Sequence, residues 1–439
     1  MNIHSTHIRN ACFRGNFLFF SLLVLSFLFF LAFCKEKENA PDNPSETSLP
    51  LEQTFAPLLS AGAEKDRLFN RMHHSDFWFS GFYAKANDTL KVETTGAPSL
   101  LIGTYSRYKA TGDPQVVKLK AGKNAVAVKF GGLIYVRPET SASVNVKFVS
   151  GQKNAPYFKL GKTTEADWIK QLDALAEAPD VLLEGKLVMM VMSRQRAIEY
   201  KDEDHAAILN AADSILSWEA EIAGLDGSKP EHRRSPLRFL MTETDGTSPY
   251  MYATSYRTAY SPDGCPFAFT KKIMSEGWGP WHEIGHQHQQ NWTWNEVIEV
   301  TVNIFSLQAE RKFGLTSRLK REKVWAKNMD PYLAKPVRNY NTDPNLGAFG
   351  RLCLFQQLRL AFGDSFFKKL HQKAREEKPP LPNDAARMRY FMLTACKVSE
   401  KNLTVFFQRW GMPVPQSVYD EIAALNLPSP AAEPSALRE

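Results

Sequence analysis

Five consecutive residues, His282-Glu283-Ile284-Gly285-His286, concentrate more reactive chemistry than any other stretch of this 439-residue chain. In an α-helix, positions i and i+4 lie on one face a turn apart, so both imidazoles can reach a single ion. Glu283 is offset by one residue and points past that ion toward a bound water. Zinc with three protein ligands keeps a position open for water and brings its pKa toward neutrality. A carboxylate beside that water can take its proton and later pass it to a leaving amine. The blander reading is a surface helix that merely carries two histidines and a glutamate. Pro280 suits the first turn of a helix. Gly285 costs a helix interior about 1 kcal/mol relative to alanine, a sacrifice that makes sense where another element must approach closely.

A third ligand is needed, and the next segment offers two carboxylates. Asn295 can cap a helix running Glu296 to Phe313 and stopped by Gly314. Glu299 is preferred over Glu296, because Asn303, four residues on, shares its face and can receive the outer N–H of a ligating histidine. Glu296 has the simpler role of a first-turn glutamate favoured by the helix dipole. His288 lies at i+2 from His286 and faces away, so packing or hydrogen bonding is its expected role. Trp278, Trp281, Trp292 and Trp294 crowd the region, as core or as a platform for a sugar or peptide.

The elements that must position these groups follow from hydrophobic patterning. The expected class is α+β multidomain, an N-terminal β-sandwich followed by a mostly helical metallopeptidase domain. Short alternating runs such as Thr89–Glu93, Ser99–Gly103, Ala125–Phe130 and Val144–Val149 give the sandwich, placed at residues 53–152. Residues 153–428 form the peptidase part. In it, Trp168–Ala178 and Ala206–Ile222 read as helices, Lys186–Met192 as a buried strand, and the chain beyond Pro280 as almost wholly helical. Residues 429–439 read as a loose tail.

The N-terminus departs from this pattern. Arg9 and Arg14 precede an uncharged run, Phe17–Phe33, ending at Leu31-Ala32-Phe33-Cys34. This layout reads as a lipoprotein-type signal peptide over residues 1–33, with Cys34 the lipidated residue; a short membrane-spanning helix is the alternative. Residues 34–52, charged and rich in Pro, Ser, Asn and Glu, read as a flexible tether. Loss of Arg9 and Arg14 lowers the formal charge from +7 to +5. No Lys/Arg block is present, which argues against nucleic acid as a partner. Cys265, Cys353 and Cys396 lack metal-knuckle spacing and read as buried thiols, with one disulfide among them the alternative.

The stretch Gly279-Pro-Trp-His-Glu-Ile-Gly-His-Gln-His-Gln289, followed by Glu299-Val-Thr-Val-Asn-Ile-Phe-Ser-Leu307, resembles the enhancin-type, mucin-degrading zinc metallopeptidases, which are gluzincins. Ser80–Ala84, Leu101–Tyr105 and Gly131–Tyr135 resemble the sandwich that precedes the peptidase unit in that family. Carried over residue by residue, the resemblance implies His282, His286 and Glu299 as ligands of one Zn2+ and Glu283 as general base. It also implies a mucin-like, O-glycosylated glycoprotein as substrate. With the N-terminal reading, the expected protein is an exported monomer, held by its lipid at a bacterial cell surface or outer membrane. Two rivals stand beside it: a glycoprotein-binding adhesin with a vestigial peptidase domain, and a peptidase acting on cell-wall peptides. An intact Glu283 argues against the first.

Overall fold

The computed structural model describes residues 49–107 and 112–439, which belong to one compact unit, Ser48–Glu439. The signal, Cys34 and nearly all of the tether lie outside the described residues. Two antiparallel sheets make the sandwich. One has four strands in the spatial order Glu52–Phe55, Val144–Ser150, Thr89–Thr94, Gly122–Ala127. The other has five, in the order Gln115–Lys118, Ser99–Ile102, Gly132–Arg137, Trp78–Ala84, Gln152–Asn154. Alternation along Thr89–Thr94 sends Leu90 and Val92 inward, where they meet Ile102, Ile134, Val136, Val146 and Phe148 between the sheets. A short helix, Ala61–Leu68, follows the first strand; Ser60 caps it by accepting from the Ala63 N–H.

The second half opens with a six-stranded mixed sheet, of which the hydrophobic pattern disclosed only the strand within Lys186–Met192. Its order is Tyr157–Lys159, Asp180–Glu184, Val188–Ser193, Phe239–Glu243, Arg257–Tyr260, Met251–Thr254. Asp180–Glu184 and Val188–Ser193 are buried along almost their whole length because both faces are covered. The sandwich covers one face through Phe77, Tyr83, Leu101 and Tyr135, which pack on Leu182, Met189, Val191 and Leu240. Helix His205–Ile222 covers the other, with Ile208, Leu209, Ile215 and Leu216 inward. Arg107, from the sandwich, ties the layers by bonding Asp180 at 2.9 Å and Asp245 at 2.7 Å.

The remaining helices, among them Gly347–Phe362, Ser365–Glu377 and Asp384–Ser399, enclose a separate core around Phe355, Phe367, Phe391 and Trp410. The C-terminal residues correct the expectation of a loose tail. Gln357 Nε2 donates to the carbonyls of Ser435 (2.9 Å) and Leu437 (3.1 Å), and Arg438 pairs with Asp330 at 2.7 Å. Composition alone could not foresee this, because the partners that hold the segment, Asp330 and Gln357, lie far from it in sequence. Cys265, Cys353 and Cys396 are buried free thiols. No helix of the described residues is long and apolar enough to cross a membrane.

Candidate metal centre

The motif occupies a nine-residue helix, Trp278–His286. So short a helix is marginal by itself and depends on packing. Trp281 and Ile284 supply it: both are buried, and Trp281 stacks on Phe313 and donates its indole N–H to Ile273 O at 2.9 Å. Gly285 is where another element comes close. A Cβ there would lie 3.0 Å from Val302 Cγ2, 3.0 Å from Val302 O and 3.1 Å from Phe305 Cβ.

The second segment is in three pieces rather than the single Asn295-capped helix expected. A 3-10 turn, Asn295–Val297, leads into Ile298–Thr301 and then Asn303–Lys312; Asn295 lies within the first piece and caps nothing. The cause is local. Thr301 Oγ1 bonds Val297 O at 3.1 Å, Asn303 Nδ2 bonds Glu299 O at 2.9 Å, and the Phe305 N–H closes a tight turn on Val302 O. Such side-chain bonds to the previous turn compete with the helical ladder and bend it.

The pieces still bring the expected groups together. His282 Nε2 lies 3.0 Å from Glu299 Oε2 and 3.1 Å from His286 Nε2, and His286 Nε2 lies 3.5 Å from Glu299 Oε2. Glu296 is exposed and takes no part. Hydrogen bonding on the far side of each ring decides what faces the centre. Asn303 Nδ2 is committed to Glu299 O, so its Oδ1 accepts from His282 Nδ1–H at 2.8 Å. Gln289 Nε2 is committed to Ile298 O (2.7 Å) and Thr301 Oγ1 (2.8 Å), so its Oε1 accepts from His286 Nδ1–H at 2.7 Å. Both Nε2 atoms therefore present bare lone pairs to each other and to a carboxylate.

Three converging lone pairs call for positive charge between them. Tetrahedral donors about 2.05 Å from one zinc ion stand roughly 3.3 Å apart, so the observed 3.0–3.5 Å separations fit that ion. The electrostatics express the same demand. Close contact with His282, then with His286, holds the Glu299 carboxyl well below the ordinary range, as a positive charge placed among them would. Burial pulls His282 down, but the bond to Glu299 and the charge of Glu283 outweigh it, and the net shift is upward. Glu283 is buried, and that desolvation raises its pKa against the pull of the two histidines. Its carboxylate takes no hydrogen bond among the described residues, which leaves it available as a base. A second grouping, Glu231, His232 and Glu376, is already satisfied: Lys229 pairs with Glu376, and Arg375 donates to His232 Nδ1.

Gln289 escaped the sequence reading, as did the segment Leu68–His74. The run Gln287-His288-Gln289-Gln290 is wholly buried, and Asn70 and His74 both donate to Gln287 O, at 2.8 and 3.1 Å. Arg71 N–H bonds Gln289 O at 3.0 Å, and Gln290 Nε2 bonds Leu68 O at 3.1 Å. Four polar residues in a row flanked by tryptophans were the available signal. His288 packs between Phe239 and Phe305, in keeping with its expected role. Trp281, Trp292 and Trp294 are core; Trp278 is half-buried, with Arg318 over its ring at 4.8 Å.

Comparisons with known proteins agree with this architecture. Residues 151–411 match the peptidase M60 family, described as enhancin and enhancin-like. A functionally unknown conserved protein of Bacillus anthracis str. Ames is 30% identical, with a TM-score of 0.79 over 88% of this chain and 81% of that one. The ZmpB metallopeptidase of Clostridium perfringens is 20% identical, with a TM-score of 0.77 over 88% and 82%. The M60 catalytic domain of ZmpC from the same organism, solved in complex with the sialyl T antigen, is also 20% identical, at 0.74 over 88% and 82%. These last two likenesses establish a shared fold. TRPM8 channel-associated factor 2 of Homo sapiens is 26% identical over 326 residues, 69% of this chain. The chain spans about a third of the length of the curated relatives it matches. With a match over more than half its length, this chain belongs to the M60 peptidases, the enhancin and enhancin-like family.

Proposed function

We propose that this chain is a zinc-dependent metalloendopeptidase that hydrolyses peptide bonds in glycoproteins, mucin-like O-glycosylated ones above all. The observation that carries the reading is the convergence of His282 Nε2, His286 Nε2 and Glu299 Oε2 as three unprotonated donors, with a buried and unpaired Glu283 beside them. These three residues would hold the zinc. When bound, that ion polarises a carbonyl and lowers the pKa of water. Glu283, its pKa lifted by burial, accepts the proton of the attacking water and returns it to the leaving amine. Asn303 and Gln289 lock both histidines with the Nδ1 proton outward, so neither ring has to rotate or change tautomer during turnover.

The glycoprotein part rests on the family and on structural neighbours solved with glycan antigens, the sialyl T antigen in one and the Tn antigen in another. Export behind the signal and anchoring through Cys34 belong to the same proposal, supported by the basic, apolar and cysteine order of residues 9–34. The test is incubation of the soluble chain with mucin and with enzymatically deglycosylated mucin, with and without chelator. Cleavage of the glycosylated form, lost with chelator and restored by zinc, is expected. Cleavage indifferent to the chelator would overturn the metal mechanism; equal cleavage of both forms would overturn the glycoprotein preference.

A further inference from the structure

Arg71 lies beside the metal cluster, and its side chain has no hydrogen-bond partner among the described residues. Its backbone N–H bonds Gln289 O at 3.0 Å, and the side chain of that glutamine holds His286. Its guanidinium is partly buried, and Nη1 is fully enclosed without a hydrogen-bond acceptor. Buried donors in folded proteins are almost always satisfied, so an enclosed guanidinium nitrogen without an acceptor asks for one. No carboxylate among the described residues pairs with it.

The charged groups that face Arg71 are Arg387, Asp384 and Glu299. Arg387 comes from the helix Asp384–Ser399, bonds Asp384 at 2.5 Å, and leaves its own Nε enclosed and unpartnered. Glu299 is engaged by the two histidines. Arg71 thus feels a second guanidinium, Arg387, and two carboxylates, Asp384 and Glu299, each of which is already engaged by another residue. Burial and the charge of Arg387 both depress the Arg71 pKa, as expected of a cation held where its counter-charge is insufficient.

We propose that Arg71 and Arg387 form a carboxylate-binding subsite next to the Glu299 edge of the metal cluster, which anchors an acidic group of the substrate close to the scissile bond. The planar fork of a guanidinium pairs with a carboxylate through two parallel hydrogen bonds, which gives orientation as well as attraction. The carboxylate can belong to an acidic sugar or to an acidic amino-acid side chain. This inference rests on the peptidase reading for its consequence in turnover but not for its consequence in binding.

The experiment uses the full chain and reads both. Binding is titrated with 3′-sialyllactose against lactose, and with an N-acetylated, C-terminally amidated glutamyl peptide against its glutaminyl counterpart. Turnover is measured on one glycopeptide carrying an acid-capped or a neutral glycan, and with Glu or Gln beside the cleaved bond. An acidic member of either pair should be favoured roughly ten- to a hundredfold, through KM, the scale of a charge-assisted hydrogen bond. The pair that shows the preference identifies the source of the carboxylate. In Arg71→Met the preference should collapse toward unity, and Arg71→Lys should recover part of it. Arg387→Met, on a separate helix, should act in the same direction. An acid preference absent from the native chain, or unchanged in Arg71→Met that melts and retains zinc normally, overturns the subsite. Acid-dependent binding without cleavage of any substrate would retain the subsite and overturn the peptidase reading.

Discussion

Adding one methyl group at Gly285 tests whether the helix contact, rather than chance, placed glycine inside the motif. A helix-interior Gly→Ala change by itself stabilises by about 1 kcal/mol. At Gly285 the new Cβ meets Val302 O and Val302 Cγ2 at 3.0 Å and Phe305 Cβ at 3.1 Å. A backbone carbonyl and a Cβ cannot swing aside, so the two helices must part by a few tenths of an ångström. Overpacking of this kind costs roughly 1–3 kcal/mol, which cancels or outweighs the propensity gain. The same parting moves Glu299 and Asn303 away from His282, whose bonds to them are 3.0 and 2.8 Å. Gly62 is an internal control: it is helical, and nothing lies within 4 Å of its would-be Cβ. Urea unfolding and chelator competition should show Gly62→Ala stabilised by up to about 1 kcal/mol, with metal retention unchanged. Gly285→Ala should be neutral to about 2 kcal/mol less stable and hold zinc at least about tenfold more weakly. A Gly285→Ala chain as stabilised as Gly62→Ala, with native zinc retention, would refute the reasoning.

Further outcomes follow from the groups behind the cluster. Gln289→Leu removes the acceptor of His286 Nδ1–H and should weaken zinc binding about 10- to 100-fold, measured by competition with a chromogenic chelator; because it also strips Ile298 O and Thr301 Oγ1 of a donor, it should cost about 1–3 kcal/mol of stability. His371, pushed down to about 4 by burial and by Arg375, stays neutral in the folded chain, whereas its unfolded value is near 6.5. As pH falls from about 6.5 to 4 the unfolded chain binds that proton first, so stability is complete above the window and declines through it. Melting curves across this range should show the decline, and His371→Gln should flatten it; an identical slope in the variant would count against the assignment. Asn70→Ala combined with His74→Ala strips Gln287 O of both donors and should cost about 2 kcal/mol or more, with weakened zinc retention. Native melting and zinc binding in that double variant would show that the N-terminal segment does not brace the site.

What the sequence disclosed, and what it hid, follows from the range of each interaction. His282, Glu283 and His286 are fixed by helical spacing, and Glu299 with Asn303 by the same i,i+4 rule, so local pattern alone brought out the cluster. The sandwich strands were legible because Leu90, Val92, Val146 and Phe148 alternate with exposed neighbours. Strand Met251–Thr254 was not, since its four residues are all half-buried and show no alternation. Asn70 and Arg71 act through contacts that bridge some 200 positions, as from Asn70 to Gln287 (|i−j| = 217), and no periodicity reports such pairings; Gln289 is nearer in sequence to its partners His286, Ile298 and Thr301, but it lies past the end of the motif helix, where helical spacing no longer applies. The break near Val302 was hidden for another reason. Thr301 and Asn303 are tolerated in helices, and only their bonds to Val297 O and Glu299 O reveal that they bend this one.

The most direct test of the central claim is zinc content measured together with turnover in the native chain and three single variants, Glu283→Gln, Glu299→Ala and Glu296→Ala. One zinc per chain is expected in the native protein, in Glu283→Gln and in Glu296→Ala. Glu283→Gln should lose nearly all turnover, since it removes the base but no ligand, while Glu296→Ala keeps it. Glu299→Ala should lose the metal and, with it, activity. Full zinc retention in Glu299→Ala, loss of zinc from Glu296→Ala, or near-native turnover in Glu283→Gln would each contradict the account.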